Sequence, residues 1–153
     1  MLTFVQMISD KEKSILNVLL DNSRLSFREV AKKVGVSAVT IMNRIKELET
    51  EKMIKSYTAV LDYEKLGYDV QAIIKLRISK GKLFDVEQKI AHHPAVFAVY
   101  DTTGDFDSIV LTKFKSRKSL DAFLKKIQAY DFVERTETSL ILNTIVEKNI
   151  TLE

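Results

Sequence analysis

Hydrophobic positions change their spacing once along this chain, and the change divides it. From Ser9 to about Thr50 apolar residues recur every three or four positions, the period of helices buried on one side. Ile15, Leu16, Leu19 and Leu20 mark a first helix, opened by the capping-box pair Ser9 and Glu12 and stopped by Asp21-Asn22-Ser23. Ser26 caps a second, with Phe27, Val30, Ala31 and Val34 as its inner stripe and Gly35 at its end. Ser37 caps a third, with Ile41, Ile45 and Leu48 turned inward. Short helices joined by Gly35-Val36-Ser37 predict a helix-turn-helix, although a plain three-helix bundle has the same spacing.

Beyond Thr50 the helical period is lost. Met53–Leu61 reads as a strand from its Tyr, Thr and Val, and Asp62–Tyr68 as a turn of helix ended by Gly67. Strands and helices then alternate. They are a strand over Val70–Ile78, a helix through Leu83, Val86 and Ile90, a strand over Val96–Tyr100 and a strand over Ser108–Phe114. A helix capped by Ser116 through Leu120, Phe123, Leu124 and Ile127 follows, and a closing strand covers Val133–Val146. The order βαββαβ is that of a ferredoxin-like split fold. The predicted class is α+β. A winged-type three-helix helix-turn-helix domain occupies residues 1–52, a hinge strand and connector 53–68, and a ferredoxin-like domain 69–153.

Helices of such a domain cover one face of the sheet. Ile73, Phe97, Val99, Val110 and Phe114, read as lying on the alternate positions, leave the second face partly apolar. A homodimer packed sheet to sheet is the predicted remedy, with cover by the connector as the alternative.

Composition narrows the chemistry. The 153 residues contain no cysteine, which removes disulfides, thiol nucleophiles and cysteine-held metal clusters. No apolar run approaches the ~18 residues of a membrane helix, and Met1–Ile8 lacks the features of a signal peptide, so a cytoplasmic protein without a membrane partner is expected. The net charge of +3 lies wholly in residues 1–60, which hold ten Lys and Arg against seven acids. An asymmetry that small favours a polyanion partner only slightly.

The third helix sharpens this. With Ile41 and Ile45 inward, Val39, Thr40, Asn43 and Lys46 point outward or to the flank, and Arg44 borders the stripe. A methyl, a hydroxyl, an amide and a guanidinium suit base edges in a major groove. Ser37 and the free N–H groups behind it can hold a phosphate, and Arg28, Lys32 and Lys33 can clamp the backbone.

Catalysis has little support. His92 and His93 are adjacent, a poor spacing for a metal site, and are expected at the surface; no metal or cofactor is expected. The loop Tyr100–Asp107 gathers three carboxylates around Gly104. It is either a tight turn or a small-molecule pocket, in which backbone N–H groups near Gly104 take a carboxylate and Asp105 or Asp107 takes an ammonium. That pairing suits an amino acid, with Thr136 and Thr138 adding hydroxyls if their strand end lies near the loop.

The run Val34-Gly35-Val36-Ser37 leading into Thr40, Arg44-Ile45, Leu48 and Ile54 resembles the leucine-responsive/asparagine regulator (Lrp/AsnC, feast/famine) family. So do Leu66-Gly67-Tyr68 and Tyr100-Asp101-Thr102-Thr103-Gly104-Asp105-Phe106-Asp107. The resemblance spans about Ser9 to Lys148. It implies a DNA-binding transcription regulator, a ligand-sensing ferredoxin-like domain, and dimers assembling to tetramers, octamers or larger discs. It also implies an amino-acid effector between dimers near Gly104, Asp105 and Asp107, with Thr136 and Thr138 less securely. The family often has Tyr where Phe106 stands, so a role for that hydroxyl is lost here. Two other functions remain open on this scaffold: a siroheme-decarboxylase-like enzyme using His92 or His93, and an effector-independent architectural DNA-binding protein.

Overall fold

Capping side chains set the helix starts. The computed structural model describes residues 8–79 and 81–153, so the apolar start Met1–Met7 lies outside the described residues. Ser9 Oγ accepts from the Glu12 N–H, and the Glu12 carboxylate accepts from the Ser9 N–H at 2.7 Å, opening α1 (Asp10–Asp21). Ser26 and Glu29 repeat the box at α2 (Phe27–Val34). Gly35, left-handed at φ 78°, donates its N–H to Ala31 O at 2.8 Å and turns the chain. A Cβ there would meet nothing within 4 Å, so the position needs glycine's conformation rather than its size. Ser37 caps α3 (Ala38–Thr50). Where the sequence offers no glycine to end α3, Lys52 takes the left-handed conformation at φ 61°, and Ile54 returns to the helical core with its N–H on Leu48 O.

Ile15, Leu19, Val30, Ala31, Ile41 and Ile45 form that core. Each fully buried aliphatic among them contributes about 1.5–3 kcal/mol. Phe27 departs from its expected place on the inner stripe: it is 44% exposed, at the first position of α2 beside Val39 and Met42.

The chain divides into two compact units, one reaching to Val60 and including Val146–Glu153, the other Leu61–Ile145. It therefore passes between them twice. The last eight residues, placed by the sequence with the ferredoxin-like domain, belong to the helical unit. There Asn17 Oδ1 accepts from the Leu152 N–H at 2.9 Å, and Asn17 Nδ2 donates to Leu152 O at 3.0 Å.

The second unit has the expected order: β1 (Val70–Ile78), α4 (Leu83–Ala91), β2 (Val96–Asp101), β3 (Ser108–Phe114), α5 (Arg117–Gln128) and β4 (Val133–Ile141). The strands pair antiparallel as β2-β3-β1-β4. Ala72, Ile74, Leu76 and Ile78 meet Val86, Ile90, Leu120, Phe123 and Ile127 beneath the two helices.

Three expectations change here. Val99, Val110 and Phe114 belong to the helix-side core, whereas Ile109 and Leu111 take the opposite face with Ile73. The difference arises because Ser108 and Thr112, both fully buried, occupy inward positions of β3; Thr112 satisfies its hydroxyl on Ala72 O. β4 stops at Ile141 rather than Val146, because its partner β1 begins at Val70 and the last pair is Gln71 with Ile141. Met53–Leu61 forms no strand, since among the described residues nothing pairs with it to complete a ladder; Asp62–Tyr68 is a turn closed by the Gly67 N–H on Glu64 O.

Candidate functional site

The residues expected at DNA lie on α2, the turn and α3. Val39, Thr40, Asn43 and Lys46 are exposed, with Ile41, Ile45 and Leu48 buried behind them. Arg28, Lys32 and Lys33 are exposed along α2, and among the described residues no ion pair occupies them or Lys46. Ser37 Oγ is committed to its cap, accepting from the Thr40 N–H at 3.1 Å and lying 2.8 Å from Thr40 Oγ1. What it offers an anion is the N–H groups of the helix start it holds in place.

Arg44 differs from the others. Its Nη1 is 2.6 Å from Glu47 Oε2 and 3.7 Å from Glu12 Oε1, and Glu47, through its hydrogen bond, holds the guanidinium pKa above its ordinary value. The capping hydrogen bonds from Ser9 hold the Glu12 carboxyl below the usual carboxylate range. α3 therefore presents Arg44 and the Thr40 hydroxyl already partnered, while among the described residues no hydrogen bond engages the Asn43 amide.

The loop after β2 is built around the end of β1. Thr102 donates its N–H to Asp107 O and its hydroxyl to Phe106 O. Gly104 has φ +116°, a conformation side chains resist. Among the described residues, no hydrogen bond engages the N–H groups of Thr103 to Phe106. Asp107 ties the loop to β1. Its Oδ2 accepts from the Ile78 N–H at 2.8 Å, and its own N–H donates to Leu76 O.

Asp105 has an exposed side chain, and its carbonyl accepts from Arg77 Nη1 at 2.8 Å. The Phe106 ring lies beneath two cations, Lys75 Nζ at 5.6 Å and the Arg135 guanidinium at 5.4 Å. Lys75 also pairs with Glu137 at 2.7 Å, which lowers the Glu137 pKa.

The structure does not bring Thr136 and Thr138 to this loop. They pair across from Leu76 and Ile74, so they face the helices, and Thr136 Oγ1 accepts from Gln128 Nε2. Lys75, Arg77 and Arg135, on the opposite face, are the polar groups that meet the loop. Period-two alternation along β1 and β4 carried that signal, but cross-strand register did not follow from the chain alone. His92 is exposed as expected; His93 is half-buried, its ring 4.4 Å from that of Phe123, because α4 ends against the core aromatics.

Comparison with known proteins places both units. Residues 8–55 match a family model described as winged helix-turn-helix DNA-binding, and residues 71–151 match the Lrp/AsnC ligand binding domain. An HTH-type transcriptional regulator of Pyrococcus furiosus is 44% identical over 146 residues, 95% of this chain and 98% of its own. The HTH-type transcriptional regulator FL11 of the same organism is 35% identical, covering 88% of this chain and 89% of its own.

Among solved structures, Escherichia coli AsnC superposes with a TM-score of 0.88 at 27% identity, over 96% of this chain and all of that one. A Neisseria meningitidis transcriptional regulator solved as its L-Met complex gives 0.87 at 24%, over 96% and 97% of the two chains, a likeness of fold. With both of its units matched and relatives aligned along nearly their whole length, this chain belongs to the Lrp/AsnC family of DNA-binding transcriptional regulators.

Proposed function

We propose that this regulator reads a specific DNA sequence through α3, and that an amino-acid effector at the second unit alters its assembly or its affinity for DNA. The observation that carries the reading is the outward side of α3. Val39, Thr40, Asn43 and Lys46 stand exposed over a closed core, flanked by the cations of α2. Arg28, Lys32 and Lys33 neutralise phosphates, and the α3 residues discriminate bases.

Residues 1–52 bind DNA, 53–68 connect, and the rest sense and assemble, except that the final residues return to the helical unit. The open sheet face, with Ile73, Ile109, Leu111 and Ile141 among its charges, packs on a second copy. A two-fold dimer presents two α3 helices to half-sites ~34 Å apart. Dimers then join into an octamer or another higher assembly.

The free N–H groups around Gly104 receive the effector's carboxylate, and Asp105 receives its ammonium. The ligand-domain match and the L-Met complex of a structural neighbour support this class of effector. The protein works in the cytoplasm as a regulator, without catalysing a reaction.

Calorimetry of the full chain against the twenty amino acids, followed by sedimentation and DNA titration with any that bind, tests this reading. Binding that shifts assembly or DNA affinity, and that Asp105→Ala abolishes, is expected, because an effector with equal affinity for two states shifts neither. Silence from all twenty, with DNA binding intact, favours the architectural reading.

A further inference from the structure

Three apolar side chains stand on the outward side of the helix-turn-helix, where solvent alone favours polar ones. Phe27 is 44% exposed, Val39 63% and Met42 44%. With Arg28 at the rim, they line a hollow of about 320 Å³ between the start of α2 and the start of α3. None is needed for the core, which closes on Val30, Ile41 and Ile45 behind them. At 100° per residue, Val39 lies opposite the buried stripe of α3 beside Asn43, and Met42 lies on the flank that faces Phe27. The apolar surface is thus continuous with the face that enters DNA.

We propose that Phe27, Val39 and Met42 read the C5-methyl groups of thymine. The inference rests on α3 being the groove-entering helix. A major groove carries donors, acceptors and one apolar feature, the thymine methyl. A hollow lined by a thioether, an isopropyl group and a ring can seat methyls and offers uracil or cytosine nothing in their place. Arg28, at the rim, meets the phosphate that passes beside the groove. Sequence preference at these positions then comes from apolar contact, and Asn43 supplies hydrogen-bonded readout on the next turn.

The test starts from the duplex that the full-length protein enriches most strongly from a randomised library. That duplex is remade with deoxyuridine replacing thymine, one position at a time. For one or more positions in each half-site, loss of the methyl should weaken binding about fourfold per methyl. Met42→Ala, whose side chain is exposed and outside the core, should bind the thymine and deoxyuridine duplexes alike. Val39→Ala serves as the second variant.

An enriched duplex that binds equally well with deoxyuridine throughout overturns the proposal. So does undiminished methyl sensitivity in both variants. Methyl indifference together with unchanged DNA affinity of Met42→Ala leaves the hollow to a protein partner. Failure to enrich any sequence sinks the reading of α3 itself, an outcome distinct from methyl indifference in an enriched duplex.

Discussion

Arg44 and Glu47 form an ion pair one turn apart on α3, Nη1 to Oε2 at 2.6 Å, with Glu12 of α1 behind them at 3.7 Å. The guanidinium that best suits guanine is therefore held by two carboxylates, and reading a base with it means exchanging those partners. Glu47→Ala should tighten DNA binding several-fold, since it frees Arg44 and removes a negative charge beside the phosphates. Arg44→Ala should weaken binding to the preferred duplex about tenfold and relax preference at one position. Fluorescence anisotropy at fixed salt distinguishes the two; a Glu47→Ala protein that binds more weakly contradicts this account of the pair.

Asp105 and Asp107 share a loop but have different work. Asp107→Ala orphans the Ile78 N–H at the end of β1 and should destabilise the protein by about 1–3 kcal/mol in chemical denaturation. Asp105→Ala, with only its main-chain carbonyl engaged, should stay within about 0.5 kcal/mol of the parent while losing response to the effector. Equal destabilisation by both would remove the distinction.

The pairing of Asn17 with Leu152 ties the chain's end to α1. Asn17→Ala, or removal of residues 150–153, should cost about 1–2 kcal/mol and speed amide exchange along α1. Unchanged exchange in α1 would show that the tail contributes nothing to the helical unit.

His93 gives a pH dependence of definite sign. Burial first, and Lys126 second, lower its pKa, and its Nδ1 accepts from the Ala95 N–H, which requires the neutral ring. A base whose folded pKa is depressed binds more protons when unfolded. Its contribution is therefore present above the unfolded value near ~6.5 and is lost as pH falls through that value toward the folded one. Stability should drop as pH falls below about 6.5, and His93→Phe should flatten that part of the profile. A profile as steep in the variant as in the parent would assign the effect elsewhere.

Much of the fold was legible because local signals agreed. Ser9 with Glu12, Ser26 with Glu29, Gly35 and Ser37 marked the helix ends, and the apolar positions of β1, Ile73 excepted, shared one phase. The positions where the structure differs from the sequence pattern depend on partners distant in sequence. Ser108 and Thr112 hid the phase of β3, since a buried hydroxyl is recognised only once its neighbours are known. The end of β4 was set by where β1 begins. Phe27 fitted a helical stripe yet lies exposed, because its position at the start of α2 places it beside α3 rather than over the core. In the loop after β2, Gly104 and Asp105 stood out in the sequence, whereas the approach of Lys75, Arg77 and Arg135 followed from strand register. Arg44 was visible as a basic residue on α3, but its two carboxylate partners became apparent only with α1 in place.

The central claim is that α3 gives this regulator a preferred DNA sequence. Titrating the full-length protein with its best enriched duplex and with a random duplex, across a range of salt concentrations, tests it most directly. The account predicts at least ~10³-fold tighter binding to the enriched duplex at physiological salt, with affinity for both falling linearly in log–log form as salt rises. Equal affinity for the two duplexes at every salt concentration would contradict it.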